Sequence, residues 1–161
     1  GERVDDDTCP QPSDAQGQVL LNMETLWQQA YPSECVIVRP TGIYGTSFTR
    51  MIKLAETTKA YPKLHWSNRI HVEDLAAFLA HLLHVEHTEK SYICSNSQPL
   101  PLHEIIQWFQ QQLGLPTLVL ESDVPSGKQI YATRMQQMNF ELQHPHCFDD
   151  YLALLAERES K

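Results

Sequence analysis

Apolar residues along this chain follow two spacings. Val19, Leu20, Met23, Leu26 and Trp27 recur at the three-to-four-residue step of one helix face. They predict a helix over residues 14–30, with Ser13 or Asp14 as its N-cap and Pro32 as its stop. Val36, Ile37 and Val38 instead form an unbroken β-branched run, as in a strand covered on both faces of a parallel sheet. Pro40 has no N–H for a ladder and should end that strand. Further helices are predicted over residues 47–58, 73–84, 102–113 and 149–159, with a short one from Met135. In 73–84, Leu75, Ala76, Leu79, Leu82 and Leu83 share a face; Gly114 closes 102–113 as a C-terminal cap. Short strands are predicted over 69–72, 91–95 and 117–120. Strands alternating with helices argue for α/β construction.

The first strand leads into a Gly-rich turn. Gly42 and Gly45 admit backbone conformations closed to other residues and let a ligand approach the main chain. Ligands of open α/β sheets bind just beyond the carboxyl ends of strands. Pro40, Thr41, Gly42, Ile43 and Tyr44 are therefore the candidate cofactor-binding or cleft-lining residues. Tyr44 is open to two readings, lining the cleft or simply packing.

Three motifs occur in order: Val36-Ile-Val-Arg-Pro-Thr-Gly-Ile-Tyr-Gly45; Asn68-Arg-Ile-His-Val-Glu-Asp-Leu-Ala76; and Tyr92-Ile-Cys-Ser95 ahead of Pro99-Leu100 and a helix. In this succession the chain resembles the C-terminal half of an extended short-chain dehydrogenase/reductase. This is the NAD-dependent epimerase/dehydratase family, and the likeness is to its atypical, nucleoside-diphosphate-sugar epimerase-like branch. The resemblance implies the C-terminal part of a Rossmann-like, doubly wound parallel sheet plus a small substrate-side α/β region. Residues 1–60 would end the Rossmann-like part, and 61–161 would be mainly substrate-side, with one returning strand and helix near 69–85.

Family members carry a Gly-rich pyrophosphate turn after their first strand. No Gly-x-Gly-x-x-Gly or Gly-x-x-Gly-x-x-Gly cluster occurs here. With a first residue of Gly and the polar start Glu2–Asp7, the chain is expected to be a fragment whose N-terminal dinucleotide-binding units are absent. Those units would add on the order of 100 residues, at ~30 per βαβ unit. Family members also carry Tyr-x-x-x-Lys in the helix matching 14–30, the Tyr as acid/base and the Lys lowering its pKa. Aligned on Glu24, these positions hold Gln16 and Leu20. Gln has no ionisable proton and Leu no charge, so no catalytic residue is assigned.

The resemblance implies a parent protein that binds NAD or NADP and acts on a nucleotide sugar or similar small molecule. This chain would supply its substrate-side half. The missing Tyr and Lys leave open a second class, a dinucleotide-binding sensor or scaffold without catalysis. The chain alone is expected to be inactive and to bind no cofactor. Self-association into a homo-oligomer is expected too, because a severed sheet edge and uncovered helix faces need partners. In the family the helix matching 14–30 often sits at a dimer interface.

Composition narrows the partners. The chain has 161 residues, 42% of them hydrophobic, which is one domain's worth with enough material for a core. A formal net charge of −8 without a Lys/Arg block argues against nucleic acid or an anionic membrane. The four cysteines show no CxxC or zinc-like spacing, and reduced thiols of a cytoplasmic protein are the simplest reading. Gln107 and Gln110–Gln112 fit an exposed helix face.

Several polar residues remain. On the substrate side, Asn68, Arg69 and His71 are candidates. His71 can hydrogen-bond near a cleft, or order the strand-to-helix turn from a buried position. Arg69 suits a diphosphate. In the epimerases, however, the arginine that meets that group lies two positions upstream, on Ser67 here, so backbone carbonyls or an acidic neighbour are alternative partners. His81, His84 and His87 step by three and diverge around the helix. His144-Pro145-His146-Cys147 lacks an evident fourth ligand. No metal is expected at either place.

Overall fold

The computed structural model describes residues 1–45 and 47–159, with the backbone alone for 157–159. The first half contains β1 (Glu2–Val4), α1 (Ala15–Ala30), β2 (Ile37–Pro40), β3 (Gly42–Tyr44), α2 (Thr49–Thr57), β4 (Ala60–Tyr61), β5 (His65–Ser67), β6 (Arg69–His71) and α3 (Val72–Leu82). The second contains β7 (Ser91–Cys94), β8 (Leu100–Pro101), α4 (Leu102–Gln112), β9 (Val119–Leu120), β10 (Ser126–Ile130), α5 (Thr133–Gln137) and α6 (Cys147–Glu159). Strands pair in the order β1-β10-β5-β8, and as β2-β7, β3-β6 and β4-β9. All these pairs are parallel except β5–β8. Parallel pairing with interleaved helices is the α/β construction that the periodicity predicts.

The helix ends follow local chemistry. The Asp14 side chain accepts the Gly17 N–H at 2.7 Å and starts α1. Gly114 leaves α4 at φ +65°. Pro40 is the last residue of β2, where the sequence predicts the end of the strand. Ile37 and Thr41 donate their N–H groups to Lys90 and Cys94, so by alternation the Pro40 nitrogen faces away from β7. The run 36–38 is half-buried rather than fully covered, and β2 has β7 as its one ladder neighbour among the described residues.

Two cores form. Tyr44, Ile52, Ala55, Ile105, Phe109, Tyr151 and Leu155 join α2, α4 and α6. Ile70, Phe78, Tyr92, Ile93, Cys94 and Met135 join β6, α3, β7 and α5. The buried face of α3 differs from the predicted one. Asp74 and Phe78 are fully buried with Leu75 and Leu82 beside them, whereas Leu79 and Leu83 are exposed. Likewise Gln110 does not lie on an exposed face. It is buried, donates to the Ala55 and Thr58 carbonyls and accepts the Leu118 N–H.

The apolar stripe of α1 has no cover. Val19, Leu20, Met23, Leu26 and Trp27 are each at least half exposed. The opposite side of α1 is anchored by polar contacts instead, a Glu24–Arg39 ion pair to β2 and a Gln28 side chain on the Lys90 carbonyl.

Candidate functional site

The turn after β2 is shorter than the sequence suggests, because Gly42–Tyr44 forms β3 against β6. A side chain on either of its glycines would run into protein. A Cβ on Gly42 would stand 2.9 Å from the Asn68 carbonyl, whose oxygen already accepts the Gly42 N–H. Gly45 has φ +112°, and a Cβ there would stand 2.2 Å from His71 Nε2. Close backbone packing therefore accounts for both residues.

Cavities flank this strand on either side. The first, of about 310 Å³, opens at the carboxyl ends of β1 and β2, and Arg39, Pro40, Thr41, Gly42, Asn68, Ile93 and Lys128 line it. The second, of about 260 Å³, has walls from Gly42, Ile43, Tyr44, Arg50, Ser67, Asn68, Arg69 and Tyr151. Gly42 and Asn68 belong to both. Every residue of the predicted turn from Pro40 to Tyr44 thus faces one cavity or the other, as do Asn68 and Arg69; His71 faces neither.

Asn68 holds the wall. Its amide donates to the Lys128 carbonyl at 2.8 Å and accepts the Ile130 N–H at 2.8 Å, which fastens β10 across the gap between β5 and β6. Arg69 is buried. Its Nη2 donates to Ser67 Oγ at 3.1 Å, while Nη1 has no hydrogen-bond partner among the described residues. A buried guanidinium nitrogen without a hydrogen-bond acceptor is costly, and Arg69 also lines the second cavity. Burial pushes the Tyr151 phenol up, against the opposing charge of Arg69. Tyr44 is also buried, and burial together with its 2.6 Å hydrogen bond to Asp150 holds its phenol protonated far above the usual range.

His71 orders the strand-to-helix turn. Its Nδ1 accepts the Glu73 N–H and caps α3. Its ring stacks on His144 at 3.6 Å and meets the Tyr44 ring edge-on at 5.0 Å. The histidines 81, 84 and 87 do not converge; His84 binds the Ala80 carbonyl of its own helix. His146 turns to Gln98, and Cys147 is buried among apolar side chains. Burial pushes the Cys94 thiol up to about 12 and raises Cys147 as well, so both are unreactive.

Gln16 and Leu20 lie on α1, outside the linings of both cavities, with Leu20 57% exposed. Sequence reasoning missed Asp6, which ties the N-terminal segment to β7 and α5. One carboxylate oxygen accepts the Ile93 N–H at 2.6 Å; the other accepts from Thr133 Oγ1 and the Arg134 N–H. No local pattern announces a contact of that sequence separation. It also missed Asp150 and Glu73 as partners of His144.

No protein-family model and no curated protein matches the chain. Solved structures do. A Methylobacillus flagellatus protein designated an NAD-dependent epimerase/dehydratase superposes with a TM-score of 0.83 at 33% identity, over 98% of this chain and 59% of that one. A conserved Silicibacter pomeroyi protein of unknown function gives 0.77 at 23% identity, over 98% and 61%. The dTDP-glucose 4,6-dehydratase of Bacillus anthracis, in complex with NAD, gives 0.70 at 16% identity, over 89% and 51%. The chain thus spans between half and about three fifths of the length of these structures. Its fold is that of an atypical, epimerase-like short-chain dehydrogenase/reductase.

Proposed function

We propose that this chain forms the substrate side of a nicotinamide-dependent epimerase/dehydratase-like protein, and that its second cavity takes the diphosphate of a nucleotide sugar. The observation that carries this reading is Arg69. Arg69 lines this cavity; its guanidinium is buried and bonded to Ser67, and one nitrogen, itself shut off from solvent, has no hydrogen-bond partner among the described residues. Ser67 is the position where the resemblance puts the epimerases' diphosphate arginine. From two residues away, Arg69 reaches over Ser67 and offers the same group there. Arg50 adds a second cation to the lining. Paired guanidinium groups suit a diphosphate in shape and charge.

The first cavity, at the carboxyl ends of β1 and β2, fits the reacting end of a nicotinamide cofactor, NAD or NADP, with Pro40 and Thr41 against it. That group would supply hydride chemistry when bound. The residues of this chain supply a wall for it and no glycine-rich cradle for its pyrophosphate. Gln16 and Leu20 favour a second reading, a sensor that binds dinucleotide without turnover, since neither side chain can move a proton at neutral pH.

Calorimetric titration of the full chain with UDP-glucose, dTDP-glucose and their monophosphates tests the diphosphate site. Diphosphates should bind more tightly than monophosphates. Arg69→Met should weaken them about tenfold or more, as loss of a charge-assisted hydrogen bond predicts. Equal affinity in Arg69→Met and the parent would remove the diphosphate from this cavity.

A further inference from the structure

A polar cluster lies behind the second cavity, where α3, α6 and the segment 138–146 meet. His144 is at its centre. Its Nδ1 is 2.6 Å from Asp150 Oδ1 of α6, and its Nε2 is 3.1 Å from Glu73 Oε2 of α3. Its backbone N–H and that of Gln143 donate to the buried Asp74 carboxylate. Below it His71 stacks at 3.6 Å with the rings 20° apart. Asp150 Oδ2 accepts the Tyr44 hydroxyl at 2.6 Å.

His71, Glu73 and His144 bring their donor atoms within 4.8 Å of one another, as a metal site would. The ring geometry speaks against a cation. Imidazole lone pairs lie in the ring plane, so nearly parallel stacked rings aim them side by side rather than at one point. His71 Nδ1 is also already the acceptor for the Glu73 N–H.

A proton accounts for the arrangement better. Neutral imidazole has one N–H and one lone pair, whereas the imidazolium has two donors. Between two carboxylates, the neutral ring must set its lone pair against an acceptor. Only the protonated ring satisfies both.

We propose that His144 is a proton-operated latch: protonated, it ties the first turn of α3 to α6 through Glu73 and Asp150, and deprotonated, it keeps Asp150 and releases Glu73. Asp150 is the partner retained because its contact is shorter and its side chain is 15% exposed, against 69% for Glu73. Asp150 also holds Tyr44, and Tyr44 and Tyr151 line the second cavity. The latch therefore sets how firmly the rear wall of that cavity is braced. The groups facing His144 are Asp150 from α6, Glu73 and Asp74 from α3, His71 from β6 and, through Asp150, Tyr44 from β3. Burial pulls the imidazole down most strongly as a single influence. The bonds to Asp150 and Glu73 and the charges of Asp150 and Asp74 together raise it above its ordinary 6.5.

The test needs no ligand. The His144 Cε1–H resonance of the full chain is followed from about pH 5 to about pH 9, together with amide exchange in the first turn of α3 corrected for its intrinsic pH dependence. His144 should titrate above 6.5. Glu73→Gln should lower its proton affinity by a factor of ~3, and Asp150→Asn by more. Exchange in the first turn of α3 should step up as His144 loses its proton, and Glu73→Gln should abolish that step. Glu73 is exposed, so its replacement leaves the fold intact. Titration at or below 6.5, or an exchange step unchanged in Glu73→Gln, overturns the latch.

Discussion

The Gln110 carboxamide has three protein partners and almost no contact with solvent. It ties the end of α2 to the segment leading into β9. Gln110→Leu keeps the volume and strands two carbonyls and one N–H. It should destabilise the chain by about 3 kcal/mol in urea unfolding, since each buried unsatisfied group costs about 1–3 kcal/mol. A loss under about 1 kcal/mol would mean that water reaches these groups. Gly45 makes the opposite demand, an absence of atoms. Gly45→Ala combines a left-handed backbone with a Cβ driven into the stacked His71 ring, and should cost about 2 kcal/mol or more by the same measurement. These residues also show what could be read locally. Gln110 follows Ile106 by four and so shares its face; that signal was legible. The composition of the Gln-rich run points outward, and the helical period points inward. Nothing local in the sequence places Asp150 beside His144, or leaves an Arg69 nitrogen unpaired.

At the scale of elements, periodicity located the long helices well because α1, α3 and α4 each carry a repeating apolar stripe or a clear cap. The short strands β1, β5, β8 and β10 escaped it. Each has two to five residues and takes its identity from a distant partner. A stripe also does not say what it faces. The stripe of α1 is regular and exposed. Its only charged residue, Glu24, is engaged with Arg39. In a chain of net charge −8, a helix face free of charge can meet its own copy without repulsion. We therefore expect α1 to pair with α1 of a second chain. Sedimentation velocity over about a tenfold concentration range should show a dimer. Leu20→Glu with Leu26→Glu should return it to monomer without lowering the melting temperature. A parent chain that stays monomeric throughout would leave the stripe without this partner.

For the whole molecule, the His144 cluster gives stability a definite pH dependence. Its proton affinity is raised on folding, so its contribution is complete below 6.5 and is lost as pH rises through the folded value. The melting temperature should fall across that window in the parent and vary less in His144→Asn. An equal fall in both would assign the effect to other groups. Cofactor binding is a second property at this scale. Residues 1–161 contain no glycine-rich turn, so NADH fluorescence should show no saturable binding up to about millimolar concentration; a micromolar dissociation constant would contradict this.

The placement of Asp6 has a consequence in time. The first residues of the chain pair with β10 and cap α5, across a separation of 126 residues or more. Asp6 can meet Ile93 across 87 residues, but its contacts to α5 wait for Thr133 and Arg134. We expect the contacts to β10 and α5 to form late in folding, because a long loop must close before they are made. Asp6→Ala should leave the refolding rate in stopped-flow nearly unchanged and accelerate unfolding, because an interaction formed after the barrier acts on the escape rate alone. Slower refolding in that variant would make this segment part of the nucleus.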